Sequence, residues 1–107
     1  MKKVIVITAV SICLFAFAGL AGADPKGKKG AELFKEFCSA CHPDGGNVIN
    51  PKKTLDKKSR EANKIKSATD IVNKMRNPGQ GMTKFDKNAI SDKDAKKIAE
   101  YILDAFK

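Results

Sequence analysis

The chain is short of the residues from which most metal and catalytic sites are built. His42 is its one histidine in 107 residues, which excludes any centre that needs two imidazoles from the same chain. Besides Cys38 and Cys41 the only cysteine is Cys13, inside an N-terminal apolar run, so the four ligands of a structural zinc site are not available. No segment alternates apolar and polar residues as half-buried strands do, and nothing repeats at a period of roughly 20 to 50 residues. Sheets and solenoids drop out, leaving an all-α chain.

Long apolar runs are also missing after residue 23. Met1-Lys2-Lys3 is a short basic start, Val4 to Leu20 is almost wholly apolar, and Ala21-Gly22-Ala23 is an A-x-A cleavage site. This is the pattern of a signal peptide. Residues 1–23 are therefore expected to be removed, leaving residues 24–107 as one small domain in the periplasm or another exported compartment. A retained anchor is the alternative, because Val4 to Ala23 approaches the roughly 20 residues of a spanning helix; the small-residue site favours cleavage and no stable membrane span. Ile12 is too bulky for a lipidation box ahead of Cys13, which reads as a passenger of the run.

Lysine and arginine outnumber aspartate and glutamate 21 to 12, for a net charge of +9. With the leader gone, apolar residues are too sparse for a self-sufficient core, and domains this small usually need a staple. A disulfide between Cys38 and Cys41 would be a strained bridge across three residues. A covalent cofactor fits better.

Cys38-Ser39-Ala40-Cys41-His42 supplies one, since C-x-x-C-H is the attachment signature of a c-type haem. Residues three apart in a helical turn share a face, so both sulfurs reach the two vinyl groups of one porphyrin, and His42 follows as proximal ligand. C-x-x-C also serves zinc and thiol-redox sites, but here the additional ligands and the βαβ context are lacking. One haem c, bound through Cys38 and Cys41, is the expected cofactor.

Around it the chain reads as about four helices. Asp24-Pro25 has the form of a helix start, and Leu33, Phe34, Phe37 and Cys41 mark an apolar face running into the motif. Gly30, costly in a helix, suggests a close approach by another helix. Pro43 to Pro51 is rich in turn formers and should supply the carbonyl that orients His42. A short helix is expected from Thr54 or Leu55 to about Arg60. Ser67-Ala68-Thr69-Asp70 reads as a capping box opening a helix with Ile71, Val72 and Met75 inside, stopped by Asn77-Pro78-Gly79. Ser91-Asp92-Lys93-Asp94 repeats the pattern ahead of the Ala95, Ile98, Ala99, Ile102 and Phe106 stripe.

With no second histidine, the sixth iron ligand must be another residue or absent. Methionine opposite histidine is the electron-transfer arrangement and raises the potential. Met75 shares a helical face with Ile71 and reads as core. Met82, in the irregular stretch Gln80 to Phe85, is the expected ligand.

These features resemble the class I c-type cytochromes, above all the small single-haem photosynthetic type and its bacterial relatives. The shared pattern is Cys38 to His42, Gly45-Gly46-Asn47-Val48-Ile49, Lys53-Thr54-Leu55, Met82 with Phe85, and a terminal amphipathic helix. The resemblance implies a class I cytochrome c fold wrapped around one haem, with Gly30 and Phe34 crossing Tyr101. The family often has proline after its methionine; Thr83 stands there instead, implying a less rigid ligand loop and a weaker iron–sulfur bond.

The expected function is one-electron transfer between redox partners by a monomeric, non-enzymatic carrier. Its positive charge should steer it onto acidic docking surfaces, while export removes nucleic acid as a target. An open sixth site, acting as a small-ligand sensor or weak peroxidase, is the alternative.

Overall fold

The computed structural model describes residues 27–107. Its order is α1 (Gly30–Phe37), a 3-10 turn (Pro43–Gly45), α2 (Lys57–Ala62), α3 (Ala68–Arg76) and α4 (Asp92–Ala105). Among the described residues there is no strand, as the missing alternation implied. The expected leader, residues 1–23, and the Asp24-Pro25 helix start lie outside the described residues.

The first helix begins later than expected and ends earlier. Gly27, Lys28 and Lys29 are not helical, and Lys29 is an N-cap without a side-chain bond. A lysine has no acceptor to offer the first amides. Lys28 instead pairs with Glu36, and Lys97 Nζ donates to the Lys28 carbonyl at 3.2 Å. At the far end the helix stops at Phe37, and Cys41 is exposed rather than part of an apolar helical face. Phe34 O accepts from the amides of both Cys38 and Ser39, at 2.8 and 3.0 Å, closing the end of the helix.

The terminal helix α4 is the centre of the fold, packing against both α1 and α3. Its stripe is dry: Ala95, Ile98 and Ala99 are 0% exposed. Gly30 lets α1 come close, because a β-carbon there would lie 2.4 Å from Lys97 O and 3.0 Å from Tyr101 Cβ. Phe34 meets the rings of Tyr101 and Phe106, each at 5.4 Å between centroids. The crossing of Gly30 and Phe34 on Tyr101 is therefore present. Leu33, Phe34, Ile71, Met75, Ile90 and Ile102 complete the core, each worth about 1.5–3 kcal/mol when fully buried.

The start of α3 is the capping box the sequence spells out. Ser67 Oγ accepts from the Asp70 amide at 3.1 Å, and Asp70 Oδ2 accepts from the Ser67 amide at 3.1 Å. A further bond from the Lys66 amide is the main reason the Asp70 carboxyl sits below the usual carboxylate range. Ser91 Oγ likewise accepts from the Asp94 amide at 3.2 Å, whereas the Asp94 carboxylate turns toward Lys97, 3.8 Å away.

Candidate functional site

The site is assembled from the turn after α1, the loop beyond it, and the connection between α3 and α4. The Cys38 carbonyl accepts from the amides of Cys41 at 3.2 Å and His42 at 2.8 Å, winding the pentapeptide into a compact turn. Cys38 is half-buried at the end of α1, whereas Cys41 is exposed. Burial, with Cys41 nearby adding to it, pushes the Cys38 thiol up to about 11. Redox-active cysteines need the opposite shift, so this environment disfavours a thiol-redox role.

His42 is fixed by the next turn. Its Nδ1 lies 2.7 Å from the Gly46 carbonyl, which assigns the proton to Nδ1 and leaves Nε2 with a lone pair for a metal. Two successive left-handed residues, Asp44 at φ 53° and Gly45 at φ 79°, carry the chain back to place that carbonyl. Gly45 has a second reason to be glycine, since a β-carbon there would lie 2.5 Å from the Phe106 ring. Asn47 then ties the loop: its Oδ1 accepts from the amides of Ile49 and Asn50 at 3.0 and 2.9 Å, and its Nδ2 donates to Lys53 O at 2.9 Å.

Met82, in the connection between α3 and α4, is half-buried. The stretch that bears it is held at both ends. The Asn77 amide bonds Asn73 O at 2.8 Å, and the Phe85 amide bonds Met75 O at 2.9 Å. Arg76 adds two bonds from Nη1, to Phe85 O at 3.1 Å and Ile90 O at 2.8 Å. Gly81 adopts φ 91°, and a β-carbon there would come within 3.0 Å of Ile49 Cγ2, bringing the Met82 loop onto the loop after His42.

The site includes a cavity of about 430 Å³, within the range of ligand and cofactor pockets. Cys38, His42 and Met82 all line it, together with the apolar side chains of Phe34, Leu55, Ile71, Met75 and Ile102. Met75 is 3% exposed, the core residue expected, and it also forms part of the cavity wall. The structure thus brings three of the four expected site residues to one cavity, with Cys41 on the exposed side of the same turn.

The residues fit a haem on grounds independent of the motif. His42 and Met82, whose side chains carry a neutral nitrogen and a thioether sulfur, line the same cavity as Phe34, Leu55, Ile71, Met75 and Ile102. Ser59 is among the lining residues, and its Oγ is buried without a hydrogen-bond partner among the described residues. Among the described residues no group of three His, Cys, Asp or Glu side chains gathers to hold a metal ion directly.

Two features were not read from sequence. Arg60 is 5% exposed, its Nε donating to Leu55 O at 2.7 Å and its Nη2 to Phe106 O at 3.0 Å. Nothing in Lys57-Lys58-Ser59-Arg60 separates a buried arginine from its exposed neighbours. The choice of Gly46 as the carbonyl for His42 depends on the Asp44–Gly45 backbone, and Gly45-Gly46 hinted only at a tight turn.

Comparison with known proteins finds similar chains and similar folds. The family profile described as "Cytochrome C oxidase, cbb3-type, subunit III" matches residues 25–102. Cytochrome c6 of Cyanidium caldarium is 34% identical over 102 residues, 95% of this chain and 92% of that one. The structure of OmcF, an outer membrane cytochrome F from Geobacter sulfurreducens, superposes with a TM-score of 0.71 at 46% identity, covering 73% of this chain and 99% of its own. Cytochrome c6C from Synechococcus sp. PCC 7002 superposes with a TM-score of 0.68 at 25% identity, over 74% of this chain and 95% of its own.

Proposed function

The chain belongs to the class I c-type cytochromes of cytochrome c6 type, and from that membership we propose that it is an exported one-electron carrier whose haem iron is ligated by His42 and Met82. Membership brings a haem c attached covalently through Cys38 and Cys41, and the role of an electron carrier rather than an enzyme. The haem supplies the redox chemistry, its iron alternating between the ferric and ferrous states. The rest is the work of the polypeptide. Gly46 O holds the Nδ1 proton of His42, which leaves Nε2 with the lone pair that would bind the iron. Met82 offers a neutral sulfur from a loop closed at both ends, and Ile71, Met75 and Ile102 exclude water.

The observation that carries this reading is that Cys38, His42 and Met82 line one cavity although up to 44 positions separate them in the 107-residue chain. A pyridine haemochrome spectrum should show one haem with two thioethers. Met82→Ala should abolish the ferric iron–sulfur charge-transfer band and lower the potential. An unchanged spectrum would assign the thioether to Met75 or remove it from the site.

Export is part of the proposal and rests on the composition of residues 1–23; mass spectrometry of the secreted protein should place its N-terminus at Asp24. Among the described residues no helix is long and apolar enough to cross a membrane. The carrier acts as a monomer in the periplasm or another exported compartment, meeting redox partners through their acidic surfaces. Lys53 and Lys74, both exposed, stand at the cavity and provide the complementary charge.

A further inference from the structure

We propose that a basic depression between α2 and the end of α4 binds a phosphate-type oxyanion, either free phosphate or the monoester phosphate of a lipid headgroup. It is a second site beside the haem cavity and does not depend on which residue ligates the iron.

Three parts of the chain build it. Lys57, Arg60 and Glu61 come from α2, where spacings of three and four residues share a face. Lys66 comes from the connection to α3, while Leu103 and Lys107 come from the last turn of α4 and just beyond it. Together they line a depression of about 310 Å³. Arg60 is the one residue that it shares with the haem cavity.

Four of the six lining residues are cationic, against the single carboxylate of Glu61. The excess is concentrated here by the sequence. Residues 52–66 hold six lysines and one arginine against Asp56 and Glu61, a net +5, where the whole of residues 24–107 carries +7. Crowded like charges repel one another and favour a bound counter-charge.

Arg60 makes this more than a scatter of surface lysines. It is 5% exposed, and bonds from Nε to Leu55 O and from Nη2 to Phe106 O hold it in place. One cation of the set is therefore fixed by the fold. Lys57 and Lys66 are exposed and form no ion pair among the described residues, and Lys107 approaches Asp104 at 3.9 Å with both side chains exposed. Two further carboxylates lie near the edge. Asp56, in electrostatic range of Arg60, accepts from Thr54 Oγ1 and from the Ser59 amide. Asp70, in range of Lys66, accepts from the amides of Lys66 and Ser67. Neither lines the depression, so its cationic excess stands.

The chemistry of the lining selects the ligand. A chloride or a single carboxylate would neutralise only one of the excess charges. A phosphate group brings about −1.5 to −2 at neutral pH and three strong acceptor oxygens, which a guanidinium and several ammonium groups can share. The concave shape suits a compact group of this kind.

The test uses haem-loaded, reduced protein labelled with 15N, titrated with inorganic phosphate at pH 7 while sodium chloride holds the ionic strength constant. Amide shifts should saturate and centre on Lys57, Glu61, Lys66 and Leu103. Lys57→Gln/Lys66→Gln should weaken binding by about three- to tenfold. Lys52→Gln/Lys58→Gln removes the same charge from exposed lysines outside both cavities and should leave binding unchanged. Wild-type shifts that do not saturate, or that centre elsewhere, would overturn the proposal without any variant. Equal weakening in the two double variants would also overturn it, by reducing the effect to diffuse charge. Sedimentation with phosphatidylcholine vesicles containing phosphatidic acid, or phosphatidylglycerol at matched surface charge, separates the sources. Preference for phosphatidic acid that Lys57→Gln/Lys66→Gln abolishes assigns the site to a lipid headgroup; saturable phosphate binding with no such preference assigns it to free phosphate.

Discussion

The backbone N–H of Phe85 donates to the carbonyl of Met75 at 2.9 Å, joining the end of the Met82 loop to a helix residue in the cavity wall. Arg76 doubles that closure through Phe85 O and Ile90 O, and its Nη2 also reaches Asp92 Oδ1 at 2.9 Å. One side chain therefore links the ligand loop to the start of α4. Arg76→Ala should cost about 2–4 kcal/mol, since two carbonyls lose a charged donor. It should also make the iron–sulfur band disappear on heating before the helical circular dichroism does. Coincident melting of the two signals would show that Arg76 does not control the loop.

Gly30 tests the helix crossing. Alanine has a helix propensity better by about 1 kcal/mol, yet its β-carbon would sit 2.4 Å from Lys97 O, a backbone atom that cannot swing aside. Steric cost should win, with Gly30→Ala destabilising by about 1–3 kcal/mol. Chemical denaturation decides the sign, and a stabilised variant would mean that α1 and α4 can separate freely.

These residues also show which features sequence could reveal. The Ser67–Asp70 box, the α4 stripe and the need for a close approach at Gly30 are local rules of capping, periodicity and propensity, and each appears in the structure. Arg60 is different. Its burial follows from the meeting of α2 with the chain end at Phe106, a relation between residues 46 positions apart that no local pattern encodes. The late start of α1 was hidden because its N-cap, Lys29, makes no side-chain capping bond, so no local signal marks it, whereas Asp24-Pro25 has the form of one. Within the motif, spacing identified the cofactor chemistry, while the partner of His42 depended on two left-handed backbone turns.

Under the proposed ligation by Met82, Thr83 offers a way to strengthen the iron–sulfur bond. Proline at a compatible position stabilises by about 0.4–1 kcal/mol through the unfolded or open loop. Thr83→Pro should therefore weaken displacement of Met82 by added imidazole by about two- to fivefold, since the open loop becomes less favourable. Spectroscopic titration of the ferric protein measures this. Unchanged or tighter imidazole binding would mean that the loop gains nothing from the ring.

Asp92 gives the stability a defined pH dependence. The hydrogen bond from Arg76, then that from Lys87, holds its carboxyl below the usual carboxylate range. A lowered native pKa contributes stability that is present above the unfolded value of about 3.9 and lost as pH falls through the native one. The stability gap between wild type and Asp92→Asn should hold steady from neutral pH to about 5 and narrow below about 4. Urea denaturation across this range follows it, and a gap that widens toward acid would reverse the sign of the argument.

The proposed steering of acidic partners predicts a role for charge at the cavity. The chain carries +9 overall, +7 once Lys2 and Lys3 leave with the expected leader, but diffuse charge gives attraction without direction. Lys53 and Lys74 are exposed residues that line the haem cavity, so they can orient an acidic partner where electrons cross. At an ionic strength of about 0.1 M the Debye length is about 10 Å. Attraction between exposed charges should then weaken steeply as salt is added. Electron-transfer rates with an acidic partner, followed by stopped flow, should fall with ionic strength in wild type and fall less in Lys53→Gln/Lys74→Gln, which should also be slower at low salt. If the double variant keeps the wild-type salt slope, steering resides in lysines away from the cavity, and a salt-independent wild-type rate would remove electrostatic steering from the mechanism altogether.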